Sequence, residues 1–220
     1  MGVWRCAAVL VGCAAMLGEP ADAQRPLPQM HRGSVKALAA GRFLVASRHL
    51  PDPNFSETVV LLAEFGEEGA MGLVLNRRSE LPVGRLLSGM KGAAARLDAV
   101  FVGGPVAPTG IVALARSRAE VAGAKRILDE VHLITTRPPL EALLGGGATP
   151  DVFRVYLGYA GWSASQLEAE VALGAWHVFS ADVDVVFDAD PETAWRRQIR
   201  RTESLMARAG LTPPASRPPR

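Results

Sequence analysis

Gly158-Tyr159-Ala160-Gly161-Trp162-Ser163-Ala164-Ser165-Gln166-Leu167-Glu168 is the stretch on which the reading of this chain turns. Before it lies Val152 to Leu157, β-branched and aromatic, which reads as a strand. After it comes a helix with a marked start. Ser163 and Gln166 have the spacing of a capping box, in which serine caps the helix and glutamine reaches back, and Gly174 supplies the stop. Leu167, Val171 and Ala164 then share one helical face, while Glu168 and Glu170 point elsewhere. Gly161-Trp162-Ser163 also begins like the Gly-x-Ser-x-Gly nucleophile elbow. Its closing position is Ser165, which lacks the glycine that lets strand and helix approach closely. As a cap, Ser163 is fully accounted for.

Working outward toward the N-terminus, Phe43–Ala46, Thr58–Ala63 and Gly72–Leu75 read as strands, with Glu64–Gly69 as a hairpin turn between the last two. Leu81–Ser88 reads as a short helix. Ala99–Val102 and Ile111–Leu114 read as a strand pair across the Gly103-Gly104-Pro105 turn. Val131–Thr135 is a further strand, and Pro138–Leu144 a short helix closed by Gly145-Gly146-Gly147. Because strands mostly follow one another through turns, the order predicts an α+β domain on a mainly antiparallel or mixed sheet. Toward the C-terminus, Asp190-Pro191 opens a last helix, with Trp195, Ile199 and Met206 on one side and Arg196, Arg197, Arg200 and Arg201 on the other.

Composition narrows the function. Both cysteines, Cys6 and Cys13, lie at the extreme N-terminus, so the rest of the chain has no disulfide, thiolate metal site or cysteine nucleophile. A net charge of +2 does not call for nucleic acid. The Arg-rich helical face, with Arg208, is the best electrostatic signal of an acidic or phosphate-bearing partner, though a solvated basic face near the C-terminus is the more ordinary account. Four histidines occur: His31 in a linker, His49 in a proline-rich turn, His132 and His177 in strands. None has metal-ligand or zincin spacing. Asp182, Asp184, Asp188 and Asp190 recur at even spacing, which predicts a half-buried edge strand with Val183, Val185 and Phe187 inward; they lack the loop that binds calcium. Gly103-Gly104-Pro105-Val106 and Gly145-Gly146-Gly147 lack the Lys-Ser/Thr that follows a phosphate loop. No cofactor or metal is implied.

Residues 1–23 resemble a signal peptide: Arg5, an apolar run from Cys6 to Leu17, and Ala21-Asp22-Ala23 before a cut at Gln24. That reading predicts an exported, periplasmic protein. Leu10-Val11-Gly12-Cys13 also resembles a lipobox, which would place a lipid anchor on Cys13, and translation from Met30 would leave the protein cytoplasmic. No stretch is long and apolar enough to be a transmembrane helix. Residues 24–40 read as a linker, 41–210 as one compact domain, and 211–220, rich in proline, as a disordered tail.

Four ordered segments resemble the YqgE/AlgH family, also called DUF179 or UPF0301, over about residues 40–205. They are Gly41–Ala46 leading into Leu50-Pro51-Asp52-Pro53-Asn54-Phe55; Gly72–Arg77; Gly103–Val106; and Gly158–Trp162 with Gln166, Leu167, Glu168, Glu170 and Trp176. Three positions depart from the family pattern. Arg78 follows Asn-Arg where proline is usual, Arg48 replaces a proline, and Ser165 replaces a glycine. The leader also departs, since members are generally taken to be cytoplasmic. The resemblance implies a single compact domain with a curved, barrel-like sheet flanked by short helices. It implies no established activity, although some members are described as transcriptional regulators. No helix-turn-helix is legible in this chain.

From these segments the sequence predicts a non-enzymatic binding or regulatory protein. Its ligand groove is expected at Asn76, Arg77, Gly103, Gly104, Pro105, Gly158, Tyr159, Gly161, Trp162 and Gln166, for a protein or small-molecule partner. The competing expectation is a hydrolase using Ser163 with His132 or His177.

Overall fold

The computed structural model describes residues 35–208. The leader, the lipobox at Cys13 and the tail read at 211–220 lie outside the described residues, as do His31 and most of the linker. Val35–Ala37 form a 3-10 turn, and Leu38 is already buried in the core, so packed chain begins ahead of Gly41.

In chain order the strands are β1 (Arg42–Ala46), β2 (Val59–Gly66), β3 (Gly69–Val74), β4 (Arg78–Pro82), β5 (Ala99–Val102), β6 (Val106–Arg116), β7 (Lys125–Arg126), β8 (Val131–Ile134), β9 (Phe153–Trp162) and β10 (Trp176–Ser180). The helices are α1 (Val83–Leu86), α2 (Arg137–Gly145), α3 (Ala164–Ala172), α4 (Val183–Val186) and α5 (Ala194–Arg208). The strands form one α+β sheet in the order β10-β1-β2-β3-β9-β6-β8-β7, curled into a half-barrel, with β4 and β5 as an annex on β9. Every pairing is antiparallel except β5 with β9. Apolar side chains from both faces of β1 and β2, among them Leu44 and Leu61, join Tyr156 and Trp176 in a core that takes in Leu167 and Val171 of α3 and Trp195 and Ile199 of α5. A second cluster joins Phe153 and Val155 of β9 with Leu140 and Leu144 of α2 and Val83 of α1. Burial of both faces explains why β2 reads as an unbroken apolar run, Val59 to Ala63, with no alternation.

Three expectations need correction. The β2–β3 hairpin is tighter than read: the strands extend to Gly66 and Gly69, leaving Glu67 and Glu68 as the turn, with a bulge between Leu62 and Glu64. The Asp182–Asp190 stretch is not an edge strand. Asp182 Oδ1 accepts from the Asp184 amide at 3.0 Å and caps α4, and Asp188 and Asp190 make the corresponding local bonds before α5. Short acidic side chains that bond their own backbone favour turns and caps over strands, and here that preference overrides the alternating pattern.

The third correction concerns topology. β5 and β6 do not pair with each other; they flank β9 from opposite sides. The link between them, Gly103-Gly104-Pro105, must therefore cross β9. Two strand spacings are about 9.5 Å, and the four residue steps from Val102 to Val106 reach about 13 Å when fully extended. Little slack remains, so the link passes directly over the β9 backbone. Gly103 accepts from the Val74 amide and donates to the Leu157 carbonyl at 2.9 and 2.8 Å, holding the crossing down. A Cβ on Gly104 would lie 2.3 Å from the Tyr159 carbonyl carbon, and one on Gly158 2.4 Å from the Gly104 oxygen. Only glycine allows this contact.

Candidate functional site

The residues expected to line a groove are brought close together, but most spend their polar atoms on the fold. Asn76 bridges two backbone groups, accepting from the Val59 amide and donating to the Glu57 carbonyl, each at 2.9 Å. Arg77 donates to the carbonyls of Pro53 at 2.8 Å and Ser56 at 3.4 Å, which fixes the Leu50–Phe55 loop. Gly103, Gly104 and Gly158 make the strand crossing and are buried. Gly158–Trp162, expected at a turn-rich surface, instead forms the second half of β9, paired with β3 and β6. Pro105 is exposed, and Tyr159 and Gly161 are half-buried beside it.

The loop held by Arg77 delivers Phe55 to an aromatic cluster. Phe55 stacks on Trp162 at 5.7 Å between ring centroids and meets Trp176 edge-on at the same distance; the two indoles are 6.0 Å apart. Glu170 of α3 closes the cluster. Its Oε2 accepts both indole N–H groups, from Trp162 at 3.0 Å and Trp176 at 2.8 Å, and its Oε1 accepts from Gln166 at 2.9 Å. Gln166 Oε1 in turn accepts from the Ser163 amide at 3.4 Å, completing the capping box read from the sequence. One carboxylate therefore ties β9, α3 and β10 together.

Ser163 meets neither candidate base. It follows the last residue of β9, whereas His132 pairs with Ala115, which pairs with Phe153 at the first residue of β9. His177 is adjacent to Trp176 on β10. Trp176 faces α3, so His177 faces the other way by strand alternation, and its charge is felt by Glu203 on α5. Among the described residues no group of three or more His, Cys, Asp or Glu side chains gathers to hold a metal.

His132 is 1% exposed, and neither ring nitrogen has a hydrogen-bond partner among the described residues. Burial holds its pKa below the ordinary 6.5, assisted by the positive charge of Arg126 and opposed by Glu120. The unfolded chain therefore binds this proton more readily than the folded one. The neutral-imidazole contribution to stability is complete above about pH 6.5 and falls as the pH drops through the interval between the unfolded and folded values. Urea unfolding at pH 7.5 and 5.0 should show a lower midpoint at pH 5.0, and His132→Phe should shrink that difference. An unchanged difference would place the effect on other groups.

Sequence reasoning passed over Arg154, a lone charged residue in the apolar first half of β9. It is 6% exposed and lies under the segment joining α4 to α5. That isolation within an apolar run was the available signal. Arg48, noted as a departure, pairs with Glu203 at 2.5 and 3.1 Å and covers the Trp195 ring, pinning α5 to the β1 end. On α5 the apolar side is as expected, with Trp195 and Ile199 buried and Met206 half-buried. Arg196, Arg197, Arg200 and Arg201 are exposed, and Arg197 is tied to Asp188 and Asp190. No helix among the described residues is long and apolar enough to cross a membrane.

The chain is similar to known proteins in sequence and in fold. A UPF0301 protein of Streptomyces avermitilis is 37% identical over 179 residues, covering 79% of this chain and 91% of the relative. One from Anaeromyxobacter dehalogenans is 38% identical over 182 residues, covering 78% and 91%. The solution structure of the AlgH protein from Pseudomonas aeruginosa, also UPF0301, superposes with a TM-score of 0.58 at 30% identity, covering 89% of this chain and all of that one. A crystal structure of a Corynebacterium diphtheriae protein shares the fold with a TM-score of 0.64 at 23% identity, covering 74% and 87%. The family model described as AlgH-like, DUF179, matches residues 43–207. The chain belongs to the AlgH-like, DUF179 family.

Proposed function

We infer that this is a non-enzymatic binding protein with a regulatory role, acting through a protein or small-molecule partner. The observation that supports it is the separation of Ser163 from both histidines: one lies across the sheet near the far end of β9, the other on the opposite face of β10. Nucleophilic catalysis needs a base within hydrogen-bonding reach of the hydroxyl, itself oriented by a third group. Ser163 has instead a structural task as the cap of α3. The remaining motif residues hold backbone in place, and their exposed neighbours, Pro105 and Val106, offer an apolar rim without chemical reactivity.

Replacing Ser163 by alanine tests the reading. Loss of a cap should cost about 1 kcal/mol, or roughly 3 °C in Tm for a chain of this size. Turnover of p-nitrophenyl esters should be the same in wild type and Ser163→Ala, at the level of buffer. Esterase activity that vanished in the variant while the melting temperature stayed put would make the protein a serine hydrolase.

A further inference from the structure

Arg154 carries a buried positive charge without a carboxylate. Its Nη1 donates to the Val186 carbonyl at 2.9 Å and its Nη2 to the Asp188 carbonyl. The guanidinium lies over the Phe101 ring at 4.9 Å and the Phe187 ring at 5.9 Å. Two carbonyls and two aromatic faces offset part of its desolvation, yet no acidic side chain among the described residues reaches it within 4 Å. A guanidinium has five N–H donors, so donors remain after the two carbonyls are served.

Arg154 borders a cleft of about 340 Å³ between the β4–β5–β9 annex and the segment leading into α5. Phe101, Ala99, Pro150, Phe187 and Pro191 form apolar walls, and Arg78 adds a second cation. The Arg78 side chain is exposed and makes no ion pair or hydrogen bond among the described residues. Two acids also line the cleft, and neither neutralises these arginines. Asp98 is held by Arg96 through two bonds of 2.6 and 2.7 Å, and Asp151 is exposed and bonded to Thr149.

We propose that this cleft binds a small organic carboxylate, its head between Arg154 and Arg78 and its apolar body against Phe101 and Phe187. A carboxylate matches the planar fork of a guanidinium and supplies the missing counter-charge. The apolar walls favour an anion with a hydrocarbon or aromatic body over hydrated phosphate, and the volume suits a molecule of about ten heavy atoms. The site goes beyond the binding role inferred above and does not depend on whether that role is regulatory.

Calorimetric titration of the full chain with benzoate, benzamide and inorganic phosphate at low salt tests it, alongside Arg78→Ser. Arg78 is chosen because its side chain is exposed and has no hydrogen bond or ion pair among the described residues, so the variant should melt as the wild type does. Benzoate should bind and perturb the NMR signals of Phe101 and Phe187. Benzamide, of the same shape but neutral, should bind at least tenfold more weakly. Arg78→Ser should weaken benzoate about fivefold, the scale of one exposed charge. No benzoate binding, equal binding of benzamide, or an Arg78→Ser affinity equal to wild type would each overturn the proposal. Phosphate binding as tightly as benzoate would reduce the cleft to adventitious anion contact. Failure here is distinguishable from failure of the binding reading, which the Ser163→Ala hydrolysis measurement decides alone.

Discussion

Gly104→Ala should lower stability by about 4 kcal/mol, a fall of roughly 8–16 °C in Tm for a chain of this size. The added Cβ would sit 2.3 Å from the Tyr159 carbonyl carbon and 2.4 Å from the Ala160 nitrogen, distances at which atoms must move. Those atoms are backbone of β9, which cannot yield. Around Tyr159 and Ala160 the strand is bonded to β3 on one side and β6 on the other. The link cannot lift away either, because Gly103 beside it is bonded to both Val74 and Leu157. Gly104 also sits at φ +153°, which side-chain-bearing residues rarely adopt. Gly147→Ala provides the control. It too has positive φ, +73°, but nothing lies within 4 Å of its would-be Cβ, so only backbone strain of about 1 kcal/mol is expected. Urea titration of the two variants separates strain from collision. If Gly104→Ala lost no more than Gly147→Ala, the crossing would be looser than its geometry implies.

The same crossing marks where the sequence stopped being legible. Signals that act within a few residues were readable: the capping box at Ser163, the Asp190-Pro191 opening, and the strand character of Phe43–Ala46 and Val131–Ile134. The α+β class followed from their order. Which strands pair is a long-range matter, and adjacent strands joined by a short glycine turn ordinarily form a hairpin. β5 and β6 break that expectation because β9, fifty residues later, inserts between them. The glycines of the expected groove pose the same difficulty. Glycines that permit close approach look the same in sequence whether the approaching partner is a ligand or the chain itself. In the Asp182–Asp190 stretch two local rules competed, strand alternation and side-chain capping, and capping prevailed because Asp182, Asp188 and Asp190 each found an amide or hydroxyl nearby. Arg154 was hidden because its cleft is assembled from β4, β5, β9 and the approach to α5, four segments distant in sequence.

Glu170→Ala should be the second severe substitution, costing about 3–4 kcal/mol. Its carboxylate is the acceptor for the indole N–H groups of Trp162 and Trp176, both largely buried, and alanine would leave two donors facing apolar surroundings. The cavity left by the lost side chain adds to the penalty, since Phe55 and the two indoles pack in contact and have little room to collapse. Glu170→Gln separates hydrogen bonding from volume. A glutamine oxygen at the Oε2 position can still accept from both indoles. Its amide nitrogen would then confront Gln166 Nε2, donor against donor, unless Gln166 rotates its own amide. That rotation would forfeit the bond from the Ser163 amide, so the loss moves to the start of α3. Glu170→Gln should therefore cost only about 1 kcal/mol and preserve the near-UV circular dichroism of the tryptophans, whereas Glu170→Ala should erase much of it. Equal losses in stability from the two substitutions would mean that negative charge, and not acceptor geometry, holds the indoles. A negligible loss in both would detach this carboxylate from the stability of the β9–α3–β10 junction altogether.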